Sequence, residues 1–212
     1  MEIKLPVAGA EEARRRLAKI GARRVRSVHE FNVVYDTEER RLFHSGRLLR
    51  LRVEMEPGRD EKCRRAVLTY KGPARGENPG AEGAVADALV PGRRYKIREE
   101  LETEISSPET LEAVFAGLGL LPWFRYEKNR TSFLPRAARK ARKGAALHIE
   151  LDETPIGVFL ELEGEPRAID DAARRLGYRT SEYVTASYWG LYMAHCQKRG
   201  IPPGDMLFPR KK

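Results

Sequence analysis

Apolar and charged residues take turns along much of this chain with a period of two. In HIELD, Ile149 and Leu151 fall on one side of an extended segment, while His148, Glu150 and Asp152 fall on the other. After a Pro-Ile-Gly turn, FLELE repeats the arrangement with Glu161 and Glu163. Near the start, Glu2 and Lys4 alternate with Ile3 and Leu5. Arg50 and Arg52 alternate with Leu49, Leu51 and Val53, and Thr69 and Lys71 with Leu68 and Tyr70. In YKIREELETEI, Lys96, Arg98, Glu100, Glu102 and Glu104 share one face, and in RYEKNRTSF Lys128 and Arg130 share another. Each run predicts a strand with one aliphatic and one ionic side.

A second period marks helices. Residues 10–20 place Ala10, Ala13, Leu17 and Ile20 on one stripe, with Gly21 where a helix would end. Ser107 and Pro108 suit a helix start, and Leu111, Val114, Phe115 and Leu118 form the expected buried face. A third helix is predicted over residues 166–176, with Ile169, Ala173 and Leu176 inward. A terminal amphipathic helix runs from Ser187 to Gly200, its aromatics read as packing. The first three helices each follow an acidic alternating strand and end in an Ile-Gly or Leu-Gly step. This recurrence argues for one pseudo-repetitive domain, taken as residues 1–199, with 200–212 as a basic, flexible tail. Long hairpin loops are expected at 56–65 and 72–94, and the basic run 135–146 reads as a solvated loop.

A charged strand face ordinarily meets water. That reading accounts for any one of these strands but strains over six, because whole faces are ionic and acidic and basic faces are segregated by strand. If the strands close into a barrel, the ionic sides line a tunnel and the aliphatic sides turn outward against helices. The chain has 212 residues, 41% of them hydrophobic, which is enough for a core. Its 40 basic and 31 acidic residues leave a net charge of +9, which favours an anionic partner. No aromatic residues interleave with the basic run, so nucleic acid is not the expected partner. Two cysteines in no metal-ligand spacing, no apolar run long enough for a membrane span and no leader-like opening set the expectation of a cytoplasmic protein. Ser-His-Asp, Cys-His, Walker-type and Rossmann patterns are absent from the sequence.

The Glu-Ile-Lys start, VYDTEERRLFHSGRLLRLR, TYKGP, EELETEI, YEKNRTSF and the ELD and FLELE segments, in that order, resemble the CYTH superfamily. Its name joins class IV adenylate cyclase and thiamine triphosphatase, and its members are also called triphosphate tunnel metalloenzymes. The resemblance spans about residues 1–195. It implies an α+β fold, an eight-stranded antiparallel β-barrel with helices packed outside, that holds a triphosphate with basic residues and a divalent metal with acidic ones. Glu2 and Lys4 match the second acid and the lysine of the family's Glu-x-Glu-x-Lys opening; its first acid would precede Met1.

The chemistry follows from charge. A triphosphate carries roughly four negative charges, which an enclosed site must meet with preorganised cations. Lys4, Arg50, Arg52, Lys71, Arg98, Lys128 and Arg130 are the expected substrate-binding set, with Lys4, Arg50, Arg52 and Lys71 assigned to catalysis. Glu2, Glu100, Glu102, Glu150, Asp152, Glu161 and Glu163 are the expected ligands for Mg²⁺ or Mn²⁺, with Glu102 and Asp152 one layer back, and Glu104 lies beyond the tunnel. His148 is open to metal, proton-carrying or purely structural readings. Three functions fit: a metal-dependent triphosphatase, a class IV adenylate cyclase, or a non-catalytic polyphosphate- or nucleotide-binding module. The triphosphatase needs the fewest features beyond these charges.

Overall fold

In the computed structural model, which describes residues 1–60, 64–73, 95, 97–135 and 147–210, the alternating runs pair into one eight-stranded antiparallel sheet. The strands are β1 (Glu2–Val7), β2 (Arg23–Asp36), β3 (Leu48–Met55), β4 (Arg65–Lys71), β5 (Glu100–Ile105), β6 (Leu121–Leu134), β7 (His148–Thr154) and β8 (Gly157–Glu163). The helices are α1 (Ala10–Lys19), the short α2 (Arg41–His44), α3 (Pro108–Gly117), α4 (Pro166–Arg175) and α5 (Tyr188–Arg199). The expected loops within 74–94, the basic run over 136–146, Lys96 and the last two residues lie outside the described residues.

The sheet order is β1-β8-β7-β6-β2-β3-β4-β5. Its centre is the pair of 14-residue strands β2 and β6. Moving outward, β3, β4 and β5 on one side answer β7, β8 and β1 on the other, so each half of the chain ends against the first strand of the other half. The recurrence is therefore twofold, β1-α1-β2 and β5-α3-β6. The third strand-helix pair, β8 and α4, leads into the C-terminal segment instead of another strand.

Both faces of the sheet are used. On the outside, Ile3, Leu5, Leu151, Leu160 and Leu162 pack against Leu17 of α1 and Ile169 and Ala173 of α4. Val33, Tyr35, Leu51 and Ala66 pack against Phe115 of α3. The aliphatic sides thus turn outward under helices, and the ionic sides turn inward. β1 and β5 are not hydrogen-bonded to each other. The free edge of β1 instead takes up the C-terminal segment: Lys4 N–H donates to the Val184 carbonyl at 2.7 Å and Val184 N–H donates back at 2.9 Å.

Three expectations about extent change. The α3 stripe is half buried only. Phe115 fills the groove over Tyr35, with ring centroids 4.9 Å apart, and Leu111 assists. Val114 and Leu118 lie further round the helix and are 50% and 70% exposed. The run YKIREELETEI forms a strand only from Glu100, where pairing with β4 begins, although Glu99 still accepts from Gly72 N–H at 2.9 Å. Residues 201–208 are a docked segment, not a loose tail. β7 covers β6 only over Asn129–Phe133, leaving the edge of residues 125–127 bare. The tail fills that gap: Met206 N–H donates to Arg125 O (2.9 Å), Glu127 N–H donates to Met206 O (3.0 Å), and the Met206 side chain is 1% exposed.

Replacing Met206 with Ala should therefore destabilise the fold by about 2–5 kcal/mol. At roughly 2–4 °C per kcal/mol for a chain of this size, thermal melting should show the loss plainly. An unchanged melting temperature would mean that this segment does not dock in solution. No helix among the described residues is long and apolar enough to cross a membrane.

Candidate active site

The inward faces enclose a cavity of about 370 Å³. All the expected cations reach it: Lys4 from β1, Arg50 and Arg52 from β3, Lys71 from β4, Lys128 and Arg130 from β6, and Arg98 from the segment ahead of β5. Glu2, Glu100, Glu102, Glu161 and Glu163 line it as well. An adjoining chamber of about 520 Å³ shares Glu2, Arg130, Glu161 and Glu163 and adds His148, Glu150 and Glu165. Asp152 lies on the same strand face as Glu150 but is wholly buried and lines neither space. Glu104 sits apart, accepting from exposed Arg65 at 2.7 Å.

Strand register puts opposite charges side by side. Arg130 stands opposite Asp152, Lys128 opposite Glu30, Lys4 opposite Glu161 and Lys71 opposite Glu100. On one wall Asp152 accepts from Lys128 Nζ (2.8 Å), from Arg130 in a two-pronged contact (2.7 and 2.6 Å) and from the Tyr188 hydroxyl (2.6 Å). Buried Glu30 lies 3.5 Å from Lys128 and 3.6 Å from Arg130. Arg130 also donates to Glu161, and Lys4 spans Glu2 (2.5 Å) and Glu161 (3.2 Å).

On the other wall, Arg50 donates to the Tyr126 hydroxyl (3.2 Å) and to Thr69 (3.1 Å), and Thr69 donates to Glu102 (2.7 Å). Glu102 lies 3.6 Å from both Arg50 and Arg52, and Lys71 pairs with Glu100 at 2.9 Å. Among the described residues, the Nε groups of Arg50 and Arg98 are buried without an acceptor. A buried donor left unmatched is where an anion's oxygens belong.

The carboxylates divide into two electrostatic classes. The Lys4 ammonium is the main reason that Glu2 titrates at about 2. Burial alone would push Glu30 up, but Lys128 and Arg130 outweigh it and hold the carboxyl at about 2. Glu161 is likewise held well below the usual range, burial being overcome by Arg130, Lys4 and Lys128. Glu163 and Glu150 go the other way. Burial raises both; Glu2 and Glu100 push Glu163 up further, while Arg130 only partly offsets the rise at Glu150.

A buried carboxylate among like charges is stabilised by an added cation. Glu150 Oε2 is also buried and has no hydrogen-bond partner among the described residues. Among the described residues, no three Asp, Glu, His or Cys side chains close on one point, since Glu2 and Glu161 are turned toward Lys4 and Arg130. Mg²⁺ needs no such cage, because one or two carboxylates, water and phosphate oxygens complete its shell. The donor set at Glu163 and Glu150 fits such an ion.

Three residues not singled out in the sequence belong to this network: Glu30, Tyr126 and Tyr188. Glu30 falls on the inner face of β2, opposite outward Phe31 and Val33, but Val28 and Val34 share that face and interrupt its ionic stripe. Tyr188 carried no such signal, because it opens α5 and reaches the cavity only through the tertiary fold.

The chain matches the CYTH domain family over residues 1–188. No curated protein matches it. Among solved structures it is similar to PH1819 of Pyrococcus horikoshii OT3, with a TM-score of 0.67 and 19% identity over 94% of this chain and 99% of that one. A Vibrio parahaemolyticus adenylate cyclase candidate gives 0.61 and 17%, over 89% and 94% of the two chains. HpAC1 of Hippeastrum, described as an adenylyl cyclase candidate with a dominant triphosphatase activity, gives 0.51 and 16%, over 95% and 96%. At these identities the solved structures show the fold alone, while the family match runs from β1 to the tyrosine that opens α5. The chain therefore belongs to the CYTH family.

Proposed function

We propose that this protein is a divalent-metal-dependent triphosphatase that cleaves a small triphosphate inside the charged tunnel. One observation carries the reading: seven Lys and Arg side chains from four strands and the segment ahead of β5 face one cavity that is also lined by carboxylates. Such a cation density is stable only against a multiply charged anion or a matched acidic wall, and this tunnel has unmatched buried donors at Arg50 and Arg98.

In this reading the remaining N–H groups of Arg50, Arg52 and Arg130 donate to phosphate oxygens, and Lys4, Lys71 and Lys128 supply point charges between them. These groups fix the anion in line for attack by water on the terminal phosphorus and meet the charge that grows on the departing bridging oxygen. Asp152 and Glu30, set behind Lys128 and Arg130, keep those cations oriented. Mg²⁺ or Mn²⁺ held by Glu163 and Glu150, with Glu2 and Glu161 adjacent, would supply charge neutralisation at the terminal phosphate and an acidified water. The described dominant activity of the Hippeastrum relative supports the same choice.

A second reading, class IV adenylate cyclase, is favoured by one feature. A largely apolar slot lined by Phe43, Trp123, Phe124 and Trp189 meets the tunnel at Leu48, Arg98 and Ser187. Its rings are closely set, with centroids 5.0 Å apart for Phe43–Trp123 and 4.8 Å for Trp123–Trp189. At about 40 Å³ the slot holds a few waters, and a purine would have to displace an indole. The hydrolase is preferred for that reason.

Incubation with inorganic triphosphate and separately with ATP, each with Mg²⁺ or Mn²⁺, should release orthophosphate. Cyclic AMP with pyrophosphate would establish the cyclase instead. Triphosphate with metal at 100 times Kd should stabilise the fold by about 2.7 kcal/mol, a melting shift of roughly 5–10 °C for this size. A shift without product would leave a polyphosphate- or nucleotide-binding module. Neither product nor shift would overturn the tunnel's assignment to triphosphates.

A further inference from the structure

Tyr188 is the first residue of α5, and its placement is determined from both sides. Val184, four residues earlier, is tied to Lys4 of β1 by two backbone hydrogen bonds, and Ser187 caps the helix by accepting from Gly190 N–H at 3.2 Å. Between these anchors the Tyr188 side chain is driven into the tunnel wall, where it is 6% exposed and packs edge-on against Phe159, with centroids 5.9 Å apart. Its hydroxyl donates to Asp152 Oδ2 at 2.6 Å. Its ring lies under two ammonium groups, with Lys128 Nζ 4.8 Å and Lys4 Nζ 5.2 Å from the centroid.

We propose that Tyr188 is a positioning residue for the anion-binding cations, its phenol restraining Asp152 while its ring seats Lys4 and Lys128 facing the cavity. This rests on the triphosphate reading of the tunnel. The two contacts act differently. Asp152 already accepts from Lys128 and Arg130, and a third donor disperses its charge, so the two cations are drawn less firmly away from an incoming phosphate. The ring attracts the ammonium groups through its quadrupole without neutralising them, as a further carboxylate would. Lys4 and Lys128 are thereby held buried in the tunnel wall with their charge still available to a guest.

The test is calorimetric titration of the full chain with inorganic triphosphate in the absence of metal, for the parent, Tyr188→Phe and Tyr188→Leu, alongside thermal melting and steady-state kinetics. The Phe variant keeps the ring and loses the donor, and its Kd should rise about tenfold. The Leu variant loses both, and its Kd should rise about a hundredfold. KM should rise in parallel while kcat stays within about threefold, since only binding is perturbed. A merely structural tyrosine would lower the active fraction, and so kcat, with Kd unmoved. If the Leu variant loses its cooperative melt, the Phe variant alone decides. Parent-like Kd in a folded Phe variant overturns the positioning role and leaves the triphosphate reading standing. Failure of the parent to bind without metal overturns the positioning role, and the triphosphate reading falls with it only if the metal-containing assays also give neither product nor melting shift.

Discussion

Glutamine in place of Glu163 is expected to cut metal-dependent turnover by on the order of a hundredfold while metal-free binding of triphosphate holds or tightens. Glu163 is the cleanest place to test the metal-holding carboxylates. It lines both chambers, forms no ion pair among the described residues, and has its carboxyl raised by burial and by Glu2 and Glu100. Neutralising it therefore removes a metal-type oxygen donor and relieves repulsion toward an anion without freeing any cation. Glu161 lacks that simplicity, because it is bound to Arg130 and Lys4, and its glutamine variant would also loosen the phosphate grip.

Alanine at Arg50 or Arg52 should act in the opposite sense. A lost charge-assisted contact worth about 1.5–3 kcal/mol weakens triphosphate binding roughly tenfold to a hundredfold. Phosphate-release assays and metal-free calorimetry on the variants read out both effects. Full metal-dependent turnover in the glutamine variant, or parent-like affinity in the arginine variants, would contradict this division of roles between the tunnel's arginines and Glu163.

The period-two alternation could reveal this site because a curled sheet leaves neither face free. With aliphatic residues claimed by helices outside, the charged positions had only the interior left, and unbroken stripes such as Arg50-x-Arg52 or Glu161-x-Glu163 made that legible. Legibility failed where the stripe was broken. Along the inner face of β2 the polar positions Glu30 and Asn32 sit beside Val28 and Val34, a pattern that also suits an ordinary half-polar strand. Asn32 is wholly buried, with both amide atoms unpartnered among the described residues.

Tyr126 and Tyr188 failed for a different reason. An amphipathic ring reads as packing until the partner of its hydroxyl is known. The docked tail was invisible because its signal is absent from the tail itself: the unpaired edge at residues 125–127 arises from the limited reach of β7, a fact about register. The twofold arrangement was likewise blurred, because α4 shares the helix pattern of α1 and α3 but is followed by the C-terminal segment and not by a strand.

Asp152→Ala should lower the melting temperature by roughly 10 °C, and triphosphate should restore much of the loss. Asp152 is 0% exposed and is the closest carboxylate to Lys128, itself 2% exposed. Without it, the ion pairs left among the described residues are Glu30 at 3.5 Å for Lys128, and Glu30 and Glu161 for Arg130. Removing one partner from a buried ion pair costs about 3–5 kcal/mol, because the remaining charge stays desolvated. At roughly 2–4 °C per kcal/mol for a chain of this size, the melting shift follows. Asn at the same position keeps an acceptor for the Tyr188 hydroxyl and most of the shape, so its loss should be intermediate. The diagnostic step is the ligand. An anion in the tunnel supplies negative charge beside Lys128 and Arg130, so metal-free triphosphate at the same free concentration should raise the melting temperature of the Ala variant by more than it raises the parent's. A variant that melts with the parent, or one that gains no more from triphosphate than the parent does, would mean that Asp152 is not the counter-ion that holds these two cations in place for the substrate.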